Sequence, residues 1–142
     1  MTEPSDTTTL NGVTEPAASG ILILNRDLFF GVRLRQALSA DGWSPRLVPN
    51  AEAVVTALRE GPPPALLVVD MASLPDWLLI EGAAAATHPP TPVLAFGPHK
   101  DVDGFRAAKA GGATRVVSNG DFHRDVTGFV RRYARVPQDP PT

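Results

Sequence analysis

Between residues 20 and 135, short apolar runs alternate with helical patterns, and the alternation repeats about five times. Ile21-Leu-Ile-Leu24 predicts a first strand. Leu28 to Ala40 follows with helical spacing, its core positions being Phe30, Leu34, Ala37 and Leu38, and Gly42 ends it. Pro45 to Val48 predicts a short second strand, placed at a sheet edge because proline cannot donate to a central ladder. Asn50 reads as the N-cap of a helix over Ala51–Glu60, which Gly61-Pro-Pro-Pro64 stops. Ala65–Val69 is the third strand, and Asp76 to Thr87 a weaker helix interrupted by Gly82. Pro92–Phe96, Val102–Ala110 and Thr114–Val117 complete the series as strand, helix and strand, with Gly111-Gly112 closing the helix. Asp121 is expected to cap a final helix reaching Arg135, with Arg131, Arg132 and Arg135 at its negative end. Such alternation predicts an α/β domain with a parallel sheet covered by helices on both faces. Periodicity alone leaves the strand order open.

The run Ala65-Leu-Leu-Val-Val-Asp70 ends abruptly on one carboxylate. Ligands of open α/β sheets gather outside the carboxyl ends of the strands, so Asp70 is the first candidate for a functional residue. Residues 1–19 are rich in Thr, Pro, Ser and Glu and are expected to be disordered; residues 136–142 form a second flexible tail.

Composition narrows the function. The 142 residues carry a net charge of −2, which offers no electrostatic footprint for nucleic acid. Cysteine is absent, which excludes thiol catalysis and cysteine-ligated metal centres. No apolar run approaches the ~20 residues that span a bilayer, and the N-terminus lacks the basic and apolar regions of a secretory signal. A cytoplasmic protein without membrane contact is expected. His88, His99 and His123 lack metal-ligand spacing. Neither G-x-x-x-x-G-K-[ST] nor G-x-G-x-x-G is present where a phosphate would need it. No cofactor is expected, and no nucleophile–base pair marks an enzyme.

The segments Ile21-Leu-Ile-Leu-Asn-Arg-Asp27, Leu67-Val-Val-Asp70, Pro92-Val-Leu-Ala-Phe96 and Ala108-Lys-Ala-Gly-Gly-Ala113 leading into Val116-Val117 resemble the receiver domains of two-component response regulators. The resemblance covers about residues 20–135. It implies a flavodoxin-like sheet of order 2-1-3-4-5. It also implies a site made of an acidic pair after the first strand, a phosphoacceptor aspartate after the third, a hydroxyl residue after the fourth and a lysine after the fifth, with Mg²⁺ held by the acids. Asp70 matches the phosphoacceptor. The acidic pair falls on Asn25 and Arg26, or on Arg26 and Asp27 with a one-residue slide. Gly97 takes the hydroxyl position, Asn119 the lysine position, and Val116 the place of a switch aromatic. The pocket is therefore degenerate, and the resemblance implies a pseudo-receiver.

That reading implies a stand-alone signalling module that works through protein contacts, with no folded output domain in its short tails. Its partner is a second copy, a kinase or an output protein. The resemblance places pairing surfaces on Val102–Ala110, Thr114–Val117 and Asp121–Arg135. One alternative is a working receiver phosphorylated on Asp70 by a histidine kinase, which requires Mg²⁺ on Asp27. Another is an anion sensor in which His99, Lys100 and Arg26 meet a ligand beside Asp70. An Arg26–Asp70 ion pair is expected to lock the pocket. Asp27 is read either as a residual acid or as the cap of the first helix, and Asn119 as a partner of Asp70 or a turn residue. Leu28, Phe29 and Val32 lie beside the core stripe and are candidates for a partner face, as is part of Trp77–Ile80.

Overall fold

The computed structural model describes residues 20–135. The two tails lie outside this range. Strands β1 (Gly20–Leu24), β2 (Ser44–Val48), β3 (Leu66–Asp70), β4 (Val93–Gly97) and β5 (Arg115–Ser118) form one sheet. All its pairings are parallel, and its order is β2-β1-β3-β4-β5. This is the 2-1-3-4-5 order, with the proline-bearing strand at one edge. The helices are α1 (Leu28–Ala40), α2 (Ala51–Glu60), α3 (Trp77–Ala86), α4 (Val102–Ala110), α5 (Asn119–Arg124) and α6 (Val126–Tyr133).

Strand side chains alternate between faces and divide the interior in two. Ile21, Ile23, Leu66, Val68, Leu94 and Phe96 pack with Leu34 and Leu38 of α1, Phe122 of α5 and Val130 of α6. Leu22, Leu24, Leu67, Val69 and Ala95 pack with Val54 and Leu58 of α2, Ile80 of α3 and Ala108 of α4. The central strands are buried on both faces, which is why their sequences are unbroken apolar runs.

Local chemistry sets the helix ends. Asp27, Asn50, Asp76 and Asp101 each cap a helix by accepting a backbone N–H three residues on. Gly42 and Gly112 take positive φ where α1 and α4 turn back toward strands. Two expectations need correction. Ala37 is exposed; the buried stripe of α1 is Gly31, Leu34 and Leu38, and a helical position one residue before Leu38 turns away from it. The last helix is two helices. The Ser118 hydroxyl, rather than Asp121, caps α5 by accepting from Asp121 N, and Asp121 instead pairs with Arg124. The backbone leaves helical geometry at Asp125, whose carboxylate accepts from Gly128 N and starts α6.

Arg135 therefore lies beyond α6, not in its last turn. Its backbone N–H donates to Ala65 O at 2.8 Å, and its guanidinium donates to Pro89 O at 2.9 Å and Pro64 O at 2.5 Å. It ties the end of the domain to the entries of β3 and β4. Charge-assisted bonds of this kind are worth more than neutral ones. Arg135→Ala is expected to lower unfolding free energy in urea by roughly 1–2 kcal/mol; an unchanged midpoint would make the clamp incidental.

Candidate functional site

Asp70 is the last residue of β3, and β1, where the chain turns to opposite sides of the sheet, is its neighbour. It thus stands at the topological switch point. The residue just past β1 is Asn25, fixed by its N–H to Val48 O at 3.1 Å. Asn25 Nδ2 donates to Asp70 Oδ2 at 3.1 Å, and Ala72 N donates to Asp70 Oδ1 at 2.9 Å. Both side chains are buried. Among the described residues no Lys, Arg or His forms an ion pair with Asp70. The expected Arg26–Asp70 lock is absent: Arg26 is exposed, because the chain turns out of the sheet there to start α1, and a neutral amide takes the inward position.

The carboxylate of Asp70 thus sits in a low-dielectric site with two neutral donors. Burial pushes its pKa up; the Ala72 N–H opposes this, Asp27 adds to it, and His123 opposes it weakly. The native state holds this proton to higher pH than the unfolded chain, so Asp70's contribution falls as pH rises above its ordinary value of 3.8. Asp70→Asn removes the buried charge, and a reoriented Asn25 amide can accept from the new NH₂ group. The variant is expected to gain stability relative to the parent as pH rises from 3.8, the gain levelling off above the folded pKa. Paired urea titrations at pH 3.5–7 check this, and a gap that closes with rising pH would contradict it.

Gly97 is the last residue of β4, and the space of its missing side chain is filled. A Cβ there would lie 2.9 Å from Met71 Sδ and 3.0 Å from Met71 Cβ. Met71 is buried and also reaches Gly104, where a Cβ would meet its Cε at 2.7 Å. The thioether therefore occupies the space that a side chain at position 97 would take. Met71–Ser73 is a single 3₁₀ turn capped by Asp70, and it ends at Leu74 in the left-handed region, φ 53°.

On the other side of Asp70 a groove of about 480 Å³ opens between α1 and α5–α6. Its floor is Phe96, with Phe30 edge-on at 5.6 Å and His123 against Phe30 at 4.2 Å between ring centroids. Burial, then the nearby Arg33, holds the His123 pKa below its ordinary value. Asp27 and Asn119 line the groove, but Asn119 makes no hydrogen bond to Asp70, being the first residue of α5. Asp27 serves as the α1 cap. His99 and Lys100 are exposed at the start of α4, and neither they nor Arg26 line the groove. The anion-binding trio is not assembled.

His123 and Phe96 are the site residues that sequence reasoning missed. The signal was indirect: a helix after the last strand of a 2-1-3-4-5 sheet returns to the α1 side, so its side chains oppose those of α1. Of the partner-face candidates, Leu28 and Phe29 are 78% and 83% exposed and Val32 is partly so, whereas Val116 packs against the α2–α4 core. Leu74 and Leu78 are equally open, and Ile80 is buried.

Mg²⁺ takes oxygen ligands, chiefly carboxylates. Among the described residues no three His, Asp or Glu side chains are grouped to hold a metal ion. The Asn25 amide nitrogen faces Asp70, and the Asp27 carboxylate is bonded to Phe30 N. This donor set does not fit Mg²⁺. No described helix is long and apolar enough to cross a membrane.

No family model and no curated protein matches the sequence. Solved structures match the fold. The receiver domain of sensor histidine kinase PA1611 from Pseudomonas aeruginosa, with magnesium in its cleft, aligns at TM-score 0.69 and 12% identity, over 81% of this chain and 96% of that one. A CheY-like receiver domain protein from Methanospirillum hungatei gives 0.68 and 18%, over 80% and 91%. The receiver domain of Saccharomyces cerevisiae Ssk1, crystallised with the histidine phosphotransfer protein Ypd1, gives 0.67 and 15%, over 81% and 88%. The chain has the flavodoxin-like fold of response-regulator receiver domains.

Proposed function

We propose that this chain is a degenerate receiver of two-component signalling, a cytoplasmic, non-enzymatic module that acts through protein contacts without Mg²⁺-dependent phosphorylation. The observation that carries this reading is the environment of Asp70. Its carboxylate is held by two neutral donors, an amide and a backbone N–H, and Met71 fills the space a side chain at position 97 would take. Aspartate attack on phosphorus requires cationic neutralisation of crowded negative charge, and the residues around Asp70 supply little of it.

The exposed apolar residues favour a protein partner. Leu28 and Phe29 start α1, Leu74 follows the 3₁₀ turn after β3, Leu78 is in the first turn of α3, and Val102 starts α4. All follow the carboxyl ends of strands, so they share one rim of the domain. Open apolar groups collected on one side of a domain are the usual mark of an interface. Ssk1, of the same fold, was crystallised with a protein bound to its receiver domain.

The test is intact mass and amide NMR of the purified chain with Mg²⁺ and acetyl phosphate or beryllofluoride. The expected result is an unchanged mass and no selective shift at Asp70, Asn25 or Ala72. A labile gain of one phosphoryl group would instead establish an atypical response regulator phosphorylated on Asp70.

A further inference from the structure

We infer that the groove beside Asp70 is a binding site for a small organic cation, an ammonium carried on an aromatic or aliphatic body. This goes beyond the protein-contact reading and does not depend on it. Three observations converge. Asp70 is 7% exposed, borders the groove, and has no ion-pair partner among the described residues. A buried carboxylate with only neutral donors is incompletely compensated, and a cation supplies what is missing. The groove's volume of about 480 Å³ falls within the range of small-molecule sites. Part of its wall is apolar, formed by Phe30, Ala37 and Val126 beside the polar Arg33, Asn119 and His123, and Phe29, which also lines it, is 83% exposed.

The charges facing the groove favour a monocation. Asp27 and Asp70 are the acids; Arg33 is the one lining residue with a permanent positive charge, and it is exposed and makes no ion pair with Asp70. His123 is the remaining titratable group. The ammonium reaches Asp70, the body lies against Phe30, and Phe29 closes over it, removing an open aromatic surface from water. A metal ion leaves that apolar wall uncovered. A carboxylate ligand meets Asp70 head-on.

The test is an amide NMR titration of the full chain with three probes of one shape: 2-phenylethylammonium, 2-phenylethanol and phenylacetate, with Mg²⁺ alone as a fourth. The expected result is saturable shifts at Asp70, Ala72, Phe30 and His123 with the ammonium, and affinity weaker by roughly tenfold or more for the alcohol, as loss of a charge-assisted bond predicts. Asp70→Asn should weaken the ammonium by a similar factor. Ala37→Trp fills the groove from an exposed position and should abolish binding with Asp70 intact. Equal binding of alcohol and ammonium, no saturable response to the ammonium, or the same shifts with Mg²⁺ alone would overturn the assignment.

Discussion

Replacing Phe122 by alanine is expected to cost about 3–5 kcal/mol of unfolding free energy, the largest loss from any single truncation considered for this chain. Phe122 is fully buried and stacks on Phe96 with ring centroids 4.4 Å apart and planes 17° from parallel. It also approaches Phe129 at 6.3 Å, so one ring joins β4, α5 and α6. Its helix has six residues, too few to persist by local propensity. Without the ring, α5 loses its attachment to the sheet, and the groove loses the wall that His123 forms. A domain of this size has only about 5–15 kcal/mol in hand, so the variant should approach the edge of folding at 37 °C. Urea denaturation measures the loss directly. Phe122→Leu, which keeps most of the volume, should retain most of the stability, and a loss below about 1 kcal/mol for the alanine variant would show that α5 is held by something else.

Gly97→Thr is the second large effect. It places a hydroxyl residue at the end of β4 yet should destabilise by about 1–3 kcal/mol, since any Cβ at 97 falls against the Met71 side chain. The clash involves Met71 Cβ as well as the flexible end, so a new rotamer does not relieve it fully. Met71→Ala alone leaves a cavity. The double variant should cost clearly less than the sum of the two single losses, because each change accommodates the other. Strict additivity in urea titrations would mean that the two side chains do not share this space. The hydroxyl alone should bring no Mg²⁺-dependent response, because Asn25 and Asn119 still stand in the pocket.

The parts of the fold governed by local rules were legible in the sequence. Unbroken apolar runs marked strands buried on both faces, and Asp27 or Asn50 before a helical pattern marked caps, because a cap needs only a carboxylate or amide within three residues of its partner. The division of the last helix was less accessible. It depends on Ser118 outcompeting Asp121 as the cap and on Asp125 leaving helical geometry, choices set by how Phe122 and Val130 each reach the sheet. The site was legible only in outline. Asp70 followed from where its strand ends, but which of Asn25 and Arg26 turns inward depends on the angle at which the chain leaves β1. Opposite charge favoured arginine, and backbone direction favoured asparagine. The groove was invisible because His123, Phe96 and Phe30 are far apart in sequence and meet only once the strand order is known.

The packing of Met71 against Gly97 ties the two positions together in any redesign of the pocket. Because Met71 fills the space that a side chain at position 97 would take, the order of substitution matters. A hydroxyl residue at position 97 is uphill until residue 71 shrinks, and shrinking residue 71 first opens a void. Each single step toward a phosphoryl-transfer pocket is thus disfavoured by stability alone, before any activity exists to reward it. Packing couples the two positions, so a larger residue at 97 is reached through paired rather than single substitutions.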